Sequence, residues 1–312
     1  MAKIKICLDA GHYAKYNRSP AVPAYYESEM NWKLHLMLKV ELEKYGIEVI
    51  TTRKDQAKDL SLYSRGAAAK GCNLMLSIHS NAVGNSGVNE SVDHASAYCM
   101  TDDKGTKVDD ISRELGKKLA AVVADVMELE DGYKTSTRLS DRDKNGDGVL
   151  NDNYYGVLNG ARQVGVPGII LEHSFHTNTR STKWLMVDSN LEKLAVAEAK
   201  VIAEYFGVAG DNAPASGAGT STQDKPATAV KTVSVDLPTV RRGTMNSGYV
   251  LTVQAKLKAL GYDLGDTGFE GLDGDFGGNT EKAVATFQRD VGITVDGIVG
   301  KNTWAAITKA IK

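Results

Sequence analysis

The chain is poor in cysteine, in proline and in long apolar runs, and each shortage excludes a class of protein. Its 312 residues include three cysteines, at positions 7, 72 and 99, with neither metal-site nor redox-pair spacing. A disulfide-stapled scaffold is thereby excluded. Cys7 alternates with the apolar residues of Ile4–Leu8, which reads as a buried thiol and fits a reducing compartment. No run approaches the roughly 18 apolar residues of a membrane span. The first residues enter a strand pattern directly, without the basic, apolar and small-residue parts of a signal peptide. The expectation is synthesis in the cytoplasm without export. Charge of one sign is also lacking: the net charge is −2 and no basic block occurs. That leaves no footprint for a phosphate backbone, so nucleic acid is not an expected partner.

What is present is ordinary globular composition, 42% hydrophobic and 24% charged, at a length comfortable for two domains. Apolar runs recur at Ile4–Leu8, Leu74–Ile78 and Val166–Leu171, each stopping at a titratable group: His12, His79 and Glu172. Short runs apolar on both faces read as strands inside a parallel sheet. Helical periodicity lies between them. The stretch Glu29–Tyr45 carries Met30, Leu34, Met37 and Leu38 on one face, with Gly46 at the stop, and places His35 off that face toward solvent. A long helix is predicted near Asp109–Glu128, and Ser189 with Glu192 has capping-box spacing before the helix ending at Phe206. Residues 1–207 therefore read as an α/β domain, a mainly parallel sheet flanked by helices.

The composition changes at Val208. Residues 208–231 are dominated by Ala, Gly, Ser, Thr, Asp and Pro without periodicity, which reads as a flexible linker. Residues 232–312 form a small helical C-terminal domain with an internal repeat. Leu272-Asp273-Gly274 through Thr280 returns 23 residues later as Val295-Asp296-Gly297 through Thr303. Each copy reads as an Asp-Gly turn feeding a helix near an Asn-Thr cap.

In open α/β sheets, ligands bind beyond the carboxyl ends of the strands. If the three runs are parallel neighbours, His12, His79 and Glu172 meet at one edge. Two imidazoles and one carboxylate around an open position describe a catalytic zinc site, and a further carboxylate is needed to move the proton. Glu27 and Glu29, opening the first helix, both qualify as the ligand on position alone. Isolated histidines are also commonly hydrogen-bonded core groups, so this pattern alone leaves the metal open.

Five separated motifs carry a resemblance. Leu8-Asp9-Ala10-Gly11-His12, Glu27 through Asn31, Thr52-Arg53, Ser77 through Ala82, and Leu171-Glu172 with Phe175 and Asn178 resemble, in order, the zinc-dependent N-acetylmuramoyl-L-alanine amidases of the amidase-3 type. The resemblance implies Zn²⁺ on His12, Glu27 and His79, selecting Glu27 over Glu29, with Glu172 as the catalytic carboxylate. The chain departs from that pattern at Tyr13, where relatives often carry glycine, and at His173 and His176 after Glu172. Those two histidines fit none of the family's ligand positions and are expected to face substrate or to support the ligands. In the C-terminal domain, Gln254, Asp273-Gly274, Thr280, Phe287-Gln288, Asp296-Gly297 and Trp304 are similar to a repeat-built peptidoglycan-binding domain. The implied function is cleavage of the amide between the lactyl group of N-acetylmuramic acid and L-alanine, with bacterial peptidoglycan as the partner. An inactive wall-binding protein and a zinc peptidase acting on the stem peptide are the alternatives. Without an export signal, the reading resembles an endolysin released by a holin or by lysis.

One motif remains outside this account. Asp143, Asn145, Asp147 and the Val149 carbonyl have the spacing of an EF-hand-like calcium loop, with Gly148 at the turn and Tyr154 where a bidentate Glu belongs. A polar turn held by Asx hydrogen bonds explains the same residues. A structural Ca²⁺ and a plain turn both stay open at this point.

Overall fold

The computed structural model describes residues 3–84, 87–101, 106–144, 148–208, 237–245, 247–265 and 271–310; the linker expected at 208–231 lies outside them except for Val208. The elements in order are β1 (Lys5–Ala10), α1 (Glu27–Lys44), β2 (Glu48–Thr51), α2 (Leu62–Ala67), β3 (Leu74–Asn81), β4 (Ala95–Cys99), α3 (Lys107–Met127), β5 (Tyr133–Thr137), α4 (Gly156–Gln163), β6 (Gly168–Phe175), α5 (Thr179–Leu185), α6 (Asp188–Tyr205), and in the C-terminal module α7 (Gly248–Ala259), α8 (Gly278–Asp290) and α9 (Lys301–Ala310).

The six strands form one sheet in the order β2-β1-β3-β6-β4-β5. All neighbours pair parallel except β4 with β6, as expected of a mainly parallel sheet. β1, β3 and β6 are adjacent, so their carboxyl ends share an edge. Alternate residues of these strands face opposite layers. Ile6, Leu8, Leu74, Leu76, Ile169 and Leu171 join the core under α1, α3 and α6. Cys7, Met75 and Ile170 face α4 and its neighbours. All three cysteines are free and buried, and burial pushes the Cys7 thiol up. On the second face α2 and α4 cross with their backbones in contact. A Cβ on Gly66 would sit 1.9 Å from the Val157 carbonyl, and one on Gly160 2.1 Å from that of Tyr63. Among the described residues, no helix is long and apolar enough to cross a membrane.

Two local readings in the α/β domain need correction. The last helix of the α/β domain starts at Asp188 behind Val187, without a side-chain cap, so Ser189 and Glu192 make no capping box. His35 is buried, not solvated. It lies four residues after Asn31 and three before Leu38, both buried, which places it on the stripe that faces the sheet. Its ring packs 4.5 Å from that of Trp32, Nδ1 donates to the Trp32 carbonyl at 2.5 Å, and Nε2 has no partner. Burial lowers its pKa to about 3.

An imidazole that titrates near 6.5 unfolded and about 3 folded makes the unfolded chain take up a proton first. Its contribution is therefore full above pH 6.5 and is lost as the pH falls toward 3. His35→Leu should remove roughly 2 kcal/mol of the stability difference between pH 7 and pH 5. Urea melts of both proteins at the two pH values test this; an equal loss in both would contradict it.

The C-terminal module packs onto α1. Leu36 and Val40, on the helix face away from the sheet, are buried, and a Cβ on Gly274 would approach Leu36 Cδ1 to 2.9 Å. α7 lies along this face, and its Val250, Val253 and Leu257 belong to the same apolar cluster as α1. Inside the module two buried glutamines repeat one geometry. Gln254 Nε2 donates to Asp273 Oδ1 at 2.7 Å and to Thr280 Oγ1 at 3.0 Å, while its Oε1 accepts from Gly274 N at 2.9 Å. Gln288 does the same with Asp296, Thr303 and Gly297 at 2.8, 3.0 and 2.9 Å. Thr280 and Thr303 thus serve the clamps from inside the first helical turns, and the Asn-Thr pairs are not caps. A left-handed turn glycine, φ 76° at Gly274 and 68° at Gly297, lets each backbone N–H reach its glutamine.

Candidate metal centre and active site

Three segments deliver the candidate ligands to one place. β1 ends at Ala10, and the chain turns out of the sheet through His12, whose φ of 61° is left-handed. Asn31 Nδ2 donates to the Gly11 carbonyl at 3.1 Å, and two buried arginines hold the turn below it. Arg65 donates to the carbonyls of Ala10 at 3.0 Å and His12 at 3.1 Å, and Arg53 also donates to Ala10. β3 presents His79 and α1 presents Glu27 from its first turn. One ligand atom from each of His12, Glu27 and His79 lies within 4.8 Å of the other two. Among the described residues this is the one such cluster of His, Cys, Asp or Glu.

The contacts centre on the Glu27 carboxylate. Glu27 Oε1 meets His79 Nδ1 at 2.8 Å, and Glu27 Oε2 lies 3.2 Å from His12 Nε2. Ser80 N donates to Glu27 Oε1 at 3.1 Å. Burial on its own would raise the Glu27 pKa, yet the hydrogen bonds to His12 and His79 hold the carboxyl well below its usual range. Gly11 matters by having no side chain: a Cβ there would lie 2.3 Å from His79 Cε1.

Glu172 is the register partner of His79 on the adjacent strand, so the two side chains share a face at the sheet edge. It is 8% exposed, and its Oε2 has no hydrogen-bond partner. Burial, followed by the charge of Glu27, raises its pKa well above the ordinary carboxylate value. A carboxylate beside the candidate ligand set, with an oxygen that no protein group donates to, can accept and return a proton. The donor chemistry and the spacing fit a divalent ion such as zinc.

Residues 6–204 match the family model described as N-acetylmuramoyl-L-alanine amidase. The chain belongs to this family. Residues 246–307 match a second family model, a peptidoglycan binding domain. The amidase fold is shared with solved structures of similar proteins. The N-acetylmuramoyl-L-alanine amidase from Clostridium difficile 630 is 21% identical, with a TM-score of 0.53 over 66% of this chain and 98% of that one. The catalytic domain of CwlV, an N-acetylmuramoyl-L-alanine amidase from Bacillus (Paenibacillus) polymyxa var. colistinus, is 21% identical, with a TM-score of 0.50 over 66% of this chain and 99% of that one. AmiC2 of Nostoc punctiforme is 19% identical, with a TM-score of 0.50 over 66% and 98%. Family membership makes the chain a peptidoglycan hydrolase, and the C-terminal match names the same polymer.

Residues beyond the candidate ligands shape the amidase site, and one of them, Asn17, is invisible to motif spacing. Asn17, at a positive φ of 52°, places Nδ2 2.7 Å from Glu27 Oε2 and 3.0 Å from His12 Nε2. Beneath the site Asp9 accepts from Thr52 Oγ1 at 2.5 Å and Ser77 Oγ at 2.8 Å, and pairs with Arg65 at 3.4 Å. The run Asp9-Ala-Gly-His12 contained the signal for Asp9, since a carboxylate inside an apolar strand must find buried partners.

His173 points into the opposite layer, where it joins the His79 carbonyl at 2.9 Å and Glu198 Oε1 at 2.9 Å. It braces the strand that carries His79 and does not face substrate. His176 Nδ1 donates to the Ser80 carbonyl at 2.9 Å and lies 3.9 Å from Glu27 Oε2, beside the candidate ligands. In the candidate calcium loop, Asn145 and Asp147 lie outside the described residues. Asp143 Oδ2 accepts from Gly148 N, five residues on, at 2.8 Å, a wider loop than the two-residue Asx turn, and among the described residues no ligand cluster forms here to support calcium.

Proposed function

We propose that this amidase is zinc-dependent and cleaves the bond between the lactyl carbonyl of N-acetylmuramic acid and the nitrogen of L-alanine. The observation carrying the reading is the convergence of His12, Glu27 and His79 at one strand edge with Glu172 on the neighbouring strand. His12, Glu27 and His79 would hold the ion. When bound, Zn²⁺ lowers the pKa of a water to about 7 and polarises a carbonyl.

The chain's own groups do the rest. Glu27, kept ionised, supplies the negative charge of the ligand set, and Ser80 N fixes its orientation. Glu172 takes the proton of the attacking water on Oε2 and returns it to the departing alanine nitrogen. Asn17 keeps the Glu27 carboxylate turned toward His12.

Digestion of purified walls tests this. Free N-terminal alanine should appear, chelation should abolish it, and added zinc should restore it. A new amino terminus elsewhere in the stem would instead identify a peptidase. Intact walls with zinc bound would identify an inactive wall-binding protein.

A further inference from the structure

A sizeable cavity lies away from the candidate metal centre. It has a volume of about 540 Å³ and lies between the two modules. One wall is built from Lys15, Glu29, Trp32 and Lys54 of the catalytic domain, and the other from Met245, Asp273 and Asp275 of the C-terminal module. Lys15 belongs to the loop after β1, and Lys54 and Asp55 to the loop after β2. The cavity therefore opens at the same carboxyl edge of the sheet as the ligands, one strand further along. The loop from His12 to Asn17 is the partition. His12 and Asn17 turn to the metal side, while Ala14 and Lys15 line the cavity. Helix phase divides the two acids of α1 in the same way, because residues two apart point about 200° apart. Glu27 faces His79 and Glu29 faces Lys15, 3.9 Å away.

Building on the amidase reading, we propose that this cleft is a second substrate subsite, completed by the C-terminal module, that takes the peptide arm of peptidoglycan. Its volume is in the range of small-ligand sites, roughly 300–1,000 Å³. Its lining carries both signs of charge, Glu29, Asp55, Asp273 and Asp275 against Lys15 and Lys54. That suits a peptide bearing carboxylates and a free side-chain amine. The glycan arm presents hydroxyls and acetamides without charge, so the peptide arm alone can form charge-assisted pairs with walls of both signs. Trp32 and Met245 give an apolar floor for the methylenes of a diamino acid. In this arrangement the C-terminal module orients the bond to be cut as well as holding the wall.

The test is calorimetric titration of the full-length chain with the tripeptide L-alanyl-γ-D-glutamyl-L-lysine. Saturable binding is expected, persisting after chelation because the cleft lies beyond the partition loop. Met245→Lys should weaken it about tenfold by placing an ammonium against the amine. Met245 is 68% exposed, so folding should tolerate this change. Asp275→Asn, which removes one carboxylate, should weaken binding in the same direction. No binding, binding lost with the metal, or affinity unchanged from the parent in both variants would overturn the proposal. So would competitive displacement of the tripeptide by a glycan fragment. Peptide binding that responds to the variants in a chain that releases no alanine terminus from walls would remove the amidase reading and leave the subsite standing.

Discussion

Glu172→Gln should lower the turnover of purified walls by about a thousand-fold, within the range general acid–base groups contribute, while zinc affinity stays within a few-fold of the parent. The expectation rests on position and on a carboxylate oxygen that no protein group donates to. Glu172 stands beside His79 in register, and its buried Oε2 has no donor. Glutamine keeps the volume and removes the capacity to carry a proton. Mass spectrometry of the released peptides reads the first effect, and competition with a chromogenic chelator reads the second. Turnover close to the parent value would mean that another group handles the water. Loss of zinc with the activity would place Glu172 among the ligands.

The second large effect comes from a residue with no side chain. In Gly11→Ala the new Cβ would lie 2.3 to 2.6 Å from three atoms of the His79 ring, closer than side-chain carbons approach. The turn cannot retreat easily, because Gly11 N donates to the Ile78 carbonyl at 2.9 Å and Asn31 holds the Gly11 carbonyl at 3.1 Å. His79 must therefore tilt, and its hydrogen bond to Glu27 goes with it. Misplacement of a reacting group by about 1 Å costs roughly a hundred-fold in rate. We expect a similar loss of zinc affinity, with about 1–3 kcal/mol of stability lost to overpacking. Chelator competition and a thermal melt measure the two independently. Normal zinc affinity in this variant would show that the contact between Gly11 and His79 is not needed for ligation.

The parts of the site that could be read from sequence are those carried by local patterns. His12, His79 and Glu172 each follow a short apolar run, and such runs are inner strands wherever a chain of this composition folds. The choice of Glu27 over Glu29 needed the motif resemblance at the level of sequence. In the fold, helix phase makes the same choice, since a single turn of α1 can aim one of the two at His79. His35 and Asn17 went unread for opposite reasons. His35 belongs to a stripe whose coverage by the sheet, Trp32 and Arg53 is not written in its neighbours' periodicity. Asn17 sits in a loop with left-handed φ values at Ala14 and Asn17, where no period governs side-chain direction.

From its residues alone the chain determined alternating strands and helices, the strand ends where titratable groups gather, and a repeat-built helical module at its C-terminus. These follow from burial periodicity and turn chemistry, which act over a few neighbours. Tertiary structure alone decided that β1, β3 and β6 lie side by side, that Arg65 and Asp9 support the His12 turn from below, and that α7 covers α1 to form a cleft between the modules. Those outcomes depend on which surfaces meet across separations from about fifty to more than two hundred residues, and no local pattern encodes the partner of a buried face.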